Sequence, residues 1–389
     1  MIYFDNNATT PPLPEVIEAV ANVLRIGPAN PSSPHGAGEP ARRLIAEARQ
    51  SVADLIGSSP EEVFFTSSGT EANNWALHLV GLGPKRCLLT TPVEHESVLK
   101  KTDMLRAQGV TVGELPVDQN GVVRLQSAEE LITPEIDMVS VQWVNNETGV
   151  VQPIERLASL CHERGVLFHT DAAQAIGKLD VNVHIVNVDY LSFTGHKIHA
   201  PMGIGVLYRR RGVPLSPLLG GGMQESGQRP GSENLSGISG LGVAAYIRKQ
   251  RLTKIQTMLK SLRDEFESLI LKTCAGSCVN TSDSVDRVCN TTNIRFPGID
   301  GEAFLACLIN NDICCSQGSA CTSQIPEPSH TLLAMGLSTA QAYQSIRFSF
   351  SEMNSLHEVI IAAQIIASEY DRMKRIFTEH SNLSFSGSV

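Results

Sequence analysis

Apolar residues in this chain come in short, almost continuous blocks, each followed by a longer stretch with helical spacing. Glu62-Val63-Phe64-Phe65-Thr66 predicts a strand, and Thr70 to Leu82 the helix after it. The alternation repeats with Arg86 to Thr90 and His95 to Gln108, then with Met138 to Trp143 and Ile154 to Arg164. Val166 to Thr170, Val188 to Leu191 and Gly203 to Tyr208 add further strands. Blocks apolar on both faces belong to a mainly parallel sheet covered by helices. The Pro11-Pro12-Leu13-Pro14 stretch leads into a first helix. Near residue 234 the pattern changes. Leu235 to Leu271 has helical spacing and no proline, so it predicts one long connecting helix. Beyond it, Thr292 to Phe296, Gly301 to Asn310, Ser345 to Phe350 and Leu356 to Phe377 form a smaller α+β unit.

Composition narrows the function. The 389 residues include 31 Lys+Arg and 40 Asp+Glu, a net charge of −9, which argues against direct nucleic-acid binding. With 42% hydrophobic and 18% charged residues, the chain can bury large cores, and about two domains are expected. No stretch approaches the ~20 consecutive apolar residues of a membrane span. The start, Met1 to Asn6, has neither a basic nor an apolar signal region, so a cytoplasmic protein is expected. Nine cysteines, an odd number with no C-x-x-C pair, point to reduced thiols of which at least one is reactive.

Five segments carry chemistry. Ser192-Phe193-Thr194-Gly195-His196-Lys197 ends a buried strand. A lysine there is either a surface loop residue or a desolvated amine suited to Schiff-base chemistry. His169-Thr170-Asp171-Ala172-Ala173-Gln174 puts an acid at the carboxyl end of a parallel strand, where open α/β sheets bind ligands. Asp171 is either a helix N-cap or the partner that a protonated pyridoxal phosphate ring requires, with Gln174 donating to the ring oxygen. Thr66-Ser67-Ser68-Gly69-Thr70-Glu71-Ala72-Asn73-Asn74 opens a helix, either as a plain cap or as an anion cradle. Glu94-His95-Glu96-Ser97 opens another, with His95 a surface residue or a proton carrier. Finally, Gly318-Ser319-Ala320-Cys321 reads as an exposed thiol. Cys314 and Cys315 precede it at a strand-like, buried position. Three cysteines so close also suggest metal ligands, but no second cluster completes a site, and no metal is expected.

The order of these segments, with Asn145-Asn146-Glu147-Thr148-Gly149 between them, resembles the cysteine desulfurases of the class V aminotransferase family. The likeness runs from Tyr3-Phe4-Asp5-Asn6-Asn7-Ala8-Thr9-Thr10 to Ser345-Ile346-Arg347-Phe348-Ser349. It includes Asn30-Pro31-Ser32-Ser33 and Gly227-Gln228-Arg229-Pro230-Gly231-Ser232-Glu233-Asn234. The Gly-Ser-Ala-Cys-Thr-Ser stretch and Glu327-Pro328-Ser329 resemble the group I branch, which carries its cysteine on a long loop. The resemblance implies an α/β protein of the pyridoxal-phosphate fold type I. A large domain (13–256) is expected beside a small C-terminal one (257–389), with residues 1–12 packed on the latter.

It further implies that Lys197 holds the cofactor covalently, Asp171 pairs with the pyridine nitrogen and Gln174 contacts the ring hydroxyl. His95 would stack on the ring and shuttle protons. Gly69, Thr70, Thr194 and His196 would hold the phosphate, with Ser232 contributed across a homodimer. Asn146 would lie beside ring and substrate, and Arg347 would grip the substrate carboxylate. Cys321 would take sulfur from L-cysteine, leaving L-alanine. The persulfide would pass to an acceptor protein serving iron–sulfur cluster assembly, tRNA thiolation or DNA phosphorothioation. Other class V enzymes, such as an aminotransferase or a selenocysteine lyase, remain as alternatives, as does an inactive scaffold. Several positions depart from the usual pattern: Ser232 for threonine, His199-Ala200-Pro201-Met202 for Tyr-Gly-Pro-Lys, Met223 for glycine, and Ser351-Glu352 for Gly-Arg.

Overall fold

The computed structural model describes residues 1–27, 29–318 and 327–385. In chain order its first elements are β1 (Ile2–Tyr3), α1 (Pro14–Arg25), α2 (Glu39–Ile56), β2 (Val63–Thr66), α3 (Gly69–Leu82), β3 (Cys87–Thr90), α4 (Glu96–Ala107), β4 (Thr111–Glu114) and α5 (Leu125–Leu131). There follow β5 (Met138–Ser140), α6 (Ile154–Glu163), β6 (Leu167–Asp171), α7 (Val183–Val186), β7 (Tyr190–Thr194), β8 (Gly205–Arg209) and α8 (Leu235–Thr273). The remainder is β9 (Cys278–Val279), β10 (Thr291–Arg295), α9 (Gly301–Asn310), β11 (Ile313–Cys314), α10 (His330–Ala334), α11 (Thr339–Tyr343), β12 (Ser345–Ser349) and α12 (Leu356–Phe385).

Seven strands form the main sheet in the order β2-β8-β7-β6-β5-β3-β4. The pairs among β3 to β7 are parallel, and β8 runs antiparallel to both of its neighbours. All residues of β2 and β7 are buried, as apolar blocks covered on both faces should be. The apolar run from Met138 to Trp143 is regular strand only to Ser140. Val141 and Trp143 still donate to the β6 side, at 3.1 and 2.8 Å. Between them, the Gln142 N–H turns to the buried Glu94 carboxylate at 2.9 Å, which ends the ladder. Gly205, at the start of β8, faces the turn before α3 so closely that a Cβ there would lie 2.4 Å from the Ser68 carbonyl carbon. Only glycine permits this approach.

A second, antiparallel sheet, β12-β10-β9, belongs to a separate apolar core. Helix α8 has 39 residues, roughly 60 Å of helix, and serves both cores. Ile238, Leu241 and Ala245 pack into the first, and Ile255, Leu262, Phe266 and Ile270 into the second. The chain start completes the arrangement. Residues of β1 pair in parallel with β11, and Phe4 enters the second core against Phe266 and Phe350, with ring centroids 5.7 and 4.8 Å away. Asn6 N donates to Ser349 O at 3.2 Å, and Thr10 N to His196 O at 2.9 Å, so the first ten residues join the second core to the turn after β7.

Phe266 is fully buried and contacts Phe4, Phe348 and Phe350. Phe266→Ala is expected to lower the unfolding free energy by about 3–5 kcal/mol in urea denaturation. A loss below about 1 kcal/mol would mean that this aromatic cluster does not hold the chain start.

Candidate active site

The carboxyl ends of β5, β6 and β7 and the amino end of α3 surround a cavity of about 220 Å³. Asp171, the last residue of β6, is 7% exposed. Its Oδ1 accepts from Ala173 N at 2.9 Å and its Oδ2 from Asn73 Nδ2 at 2.7 Å. No α-helix starts at Asp171, so the helix-cap alternative is set aside. Lys197 lies in a 3₁₀ turn, Gly195–Lys197, directly after β7. Its Nζ donates to the carbonyls of Asn7 and of Ala8, the latter at 2.7 Å. An ammonium turned inward onto main-chain carbonyls is not a surface lysine.

Gln174 reaches the same region, donating from Nε2 to Asn7 O at 3.1 Å. Its Oε1 accepts from Lys178 Nζ at 2.5 Å. Burial pushes this second lysine down to about 7, helped by the neighbouring Lys197 charge. Ser68 caps α3, accepting from Glu71 N at 3.2 Å, so the first N–H groups of that helix meet the cavity beside Gly69 and Thr70. Thr194 and His196 line the same end. Burial, then Lys197 and His95, hold His196 down at about 4, so it is neutral near pH 7. Its Nδ1 lies 3.1 Å from Thr9 Oγ1.

His95 caps α4 and lines the cavity, and burial lowers its pKa. Arg347, on β12, is 2% exposed. Its Nη2 donates to Asp5 Oδ1 at 2.7 Å and its Nη1 to the Asn146 carbonyl at 3.1 Å. Its Nε is buried without a partner among the described residues. Thus Gly69, Thr70, His95, Asn146, Asp171, Gln174, Thr194, His196, Lys197 and Arg347 share one cavity. Ser232 does not. It lines a neighbouring hollow with Ser67, Gly203 and Arg229. Cys321 lies outside the described residues. Cys315 is buried and Cys314 partly so, and burial pushes both thiols up.

The aminotransferase class-V family pattern matches residues 2–361. A cysteine desulfurase of Trichormus azollae is 43% identical over 97% of this chain and 94% of its own length. The cysteine desulfurase NifS of Azotobacter vinelandii is 42% identical over 92% of this chain and 90% of its own. A solved NifS-like protein superposes with a TM-score of 0.88 at 36% identity, over 94% of this chain and 98% of that one. The chain belongs to the class-V aminotransferase family, among its cysteine desulfurases.

Pyridoxal phosphate is the cofactor of this cysteine desulfurase, and the cavity's groups suit it. A carboxylate that accepts from two N–H donors matches a pyridinium nitrogen. An inward amine matches the aldehyde, and the helix start with nearby hydroxyl and imidazole groups matches a phosphate. These relatives do not favour the aminotransferase and selenocysteine-lyase alternatives. Sequence reasoning missed three contributors. Asn7 acts through its main-chain oxygen, which no side-chain pattern reveals. Asn73 lies inside the helix-opening segment Thr66 to Asn74, which gave it no role of its own. Lys178 lies four residues after Gln174, a spacing that is visible once Gln174 is named.

Beneath the cavity floor, fully buried His169 bridges Ser140 Oγ at 2.8 Å and Ser192 Oγ at 3.0 Å. Burial holds it neutral to about 4, against about 6.5 in an unfolded chain. Between those values unfolding takes up a proton. The stability His169 contributes is therefore complete above pH 6.5 and is lost as pH falls toward 4, with a slope of up to about 1.4 kcal/mol per pH unit. His169→Gln should flatten that slope in denaturation measured from pH 4 to 7. An unchanged slope would assign the acid sensitivity to other groups.

Proposed function

We propose that this cavity binds L-cysteine, that Cys321 removes its sulfur as a persulfide, and that L-alanine leaves. The reading is carried by the convergence of an inward lysine amine, an aspartate held by N–H donors and a buried arginine on one cavity. Bound there, pyridoxal phosphate supplies the electron sink that lets the Cα–H and then the C–S bond break. Arg347 holds the substrate carboxylate, for which its buried Nε offers an unused donor. Asp171 keeps a proton on the ring nitrogen. Lys197 Nζ would hold the cofactor and, once the substrate amine has displaced it, would be the base for the Cα proton. Asn146 would flank the substrate, and Gln174 would hold the ring hydroxyl. His95 manages the protons of the reacting thiols, its neutral form favoured by burial. The Cys321 thiolate attacks the substrate sulfur, splitting one hard cleavage into two easier steps.

Ser232, in its own hollow beside the start of α3, serves the neighbouring subunit's phosphate in a homodimer. The persulfide passes to an acceptor protein. The described cysteines are all free thiols and no described helix is long and apolar enough to cross a membrane, both of which support a cytoplasmic setting.

Cys321→Ser tests the reading. The variant should keep the yellow cofactor and still bind L-cysteine, yet release almost no sulfide or alanine, because a hydroxyl is far less ionised than a thiol near neutral pH. Mass spectrometry of the wild type after one turnover should find the added sulfur on the peptide containing Cys321. Sulfur on Cys314 or Cys315, with Cys321→Ser turning over normally, would contradict the assignment.

A further inference from the structure

Two residues without a role in the chemistry above join the acid of the site to its histidine. Asn73, on α3, donates from Nδ2 to Asp171 Oδ2 at 2.7 Å and to Ser97 Oγ at 2.8 Å. Ser97, on α4, places its Oγ 2.8 Å from His95 Nδ1, and its backbone N–H donates to the same nitrogen at 3.1 Å. Asn73 is 1% exposed and Ser97 8%. The four side chains form one chain of hydrogen bonds from Asp171 to His95.

The direction of that chain follows from what each group can do. An ionised carboxylate only accepts, so Asn73 must turn its NH₂ toward Asp171. The second amide hydrogen then points at Ser97 Oγ, leaving the serine proton to be given to His95 Nδ1. Asn73 Oδ1 is consequently buried with no partner among the described residues. That is a sacrifice which makes sense only if both N–H groups are needed where they are. A main-chain N–H can only donate, so His95 Nδ1 carries a lone pair and no proton. A neutral imidazole must then hold its proton on Nε2. His95 lines the cavity, and its Nε2 has no hydrogen-bond partner among the described residues.

We propose that Asn73 and Ser97 are positioning residues that hold His95 as the Nε2–H tautomer, so that it offers the cavity a hydrogen-bond donor. This deepens the desulfurase reading and rests on it for the acceptor, the sulfur of bound L-cysteine, where negative charge develops as the C–S bond weakens. The charged and titratable groups facing His95 are Asp171 from β6, Lys197 and His196 after β7, Glu96 on its own helix and His330 from α10. The Ser97 hydroxyl, donating to bare Nδ1, favours the neutral ring, and removing it makes the ring easier to protonate.

The test has two parts. Nitrogen NMR of the holoenzyme labelled with ¹⁵N-histidine, with His95 assigned through His95→Gln, should show Nδ1 bare and Nε2 protonated near neutral pH. A proton on Nδ1 would overturn the proposal. Steady-state kinetics should show kcat roughly tenfold lower in Ser97→Ala and in Asn73→Ala, with KM little changed and the acid limb of the kcat profile moved to higher pH. Ser97→Thr, which keeps the hydroxyl, should restore both. Wild-type kcat and pH profile in Ser97→Ala would overturn it, and that variant decides the matter if Asn73→Ala does not fold. A wild-type protein that releases no sulfide from L-cysteine would sink the desulfurase reading, while the NMR result would still decide the tautomer.

Discussion

The ammonium of Lys197 rests on the carbonyl oxygens of Asn7 and Ala8, and the geometry of the molecule converges on that contact. An amine turned away from water needs hydrogen-bond acceptors supplied by the fold. Here they come from the first ten residues. Those residues are fixed at one end by β1 pairing with β11 and by Phe4 in the second core. At the other end Thr10 is bound to His196, beside Lys197 itself. Asn7 also carries the Gln174 amide on its carbonyl, and donates from its side chain to the Asn146 carbonyl at 3.0 Å. A short segment thus sets the lysine, the glutamine and the arginine neighbourhood together. Asp5 of the same segment pairs with Arg347.

The electrostatics of the cavity are divided between charged groups with partners and histidines kept neutral. Asp171 has two N–H donors, and Arg347 has Asp5 and a carbonyl. His169 and His196 are held near 4 by burial, so neither adds positive charge beside Lys197 at neutral pH. Lys178, pushed down to about 7, is a second amine close to Gln174. Three of the positions that depart from the expected pattern, His199, Ser351 and Glu352, line one hollow with Arg248 behind the site. Glu352 pairs with Arg248 at 2.8 Å with both largely buried, and His199 lies 2.7 Å from the Pro11 carbonyl through Nδ1. Glu352, where the resemblance led us to expect an arginine, thus takes its cation from α8.

The strands that lead to Asp171 and Lys197 were readable because a short apolar block that stops at polar residues is a local pattern. Two-residue strands such as β1 and β11 carry no such pattern, being too short for a period of two. The polar edge strand Thr111–Glu114 was equally invisible. Lys197, Asp171 and His95 announced themselves by residue type at strand and helix ends. Asn73 and Asn7 did not, because their roles depend on which chain segment the fold brings opposite them. Met138 to Trp143 looked like one strand, and only the tertiary placement of Glu94 opposite Gln142 explains why the ladder stops at Ser140.

The central claim is that Lys197, held by the chain start in one cavity with Asp171, carries the cofactor. Borohydride reduction of the protein as purified, followed by peptide mapping, tests it most directly. The account predicts a pyridoxyl group on the peptide containing Lys197. A label on Lys178, the other buried amine of the site, would contradict it.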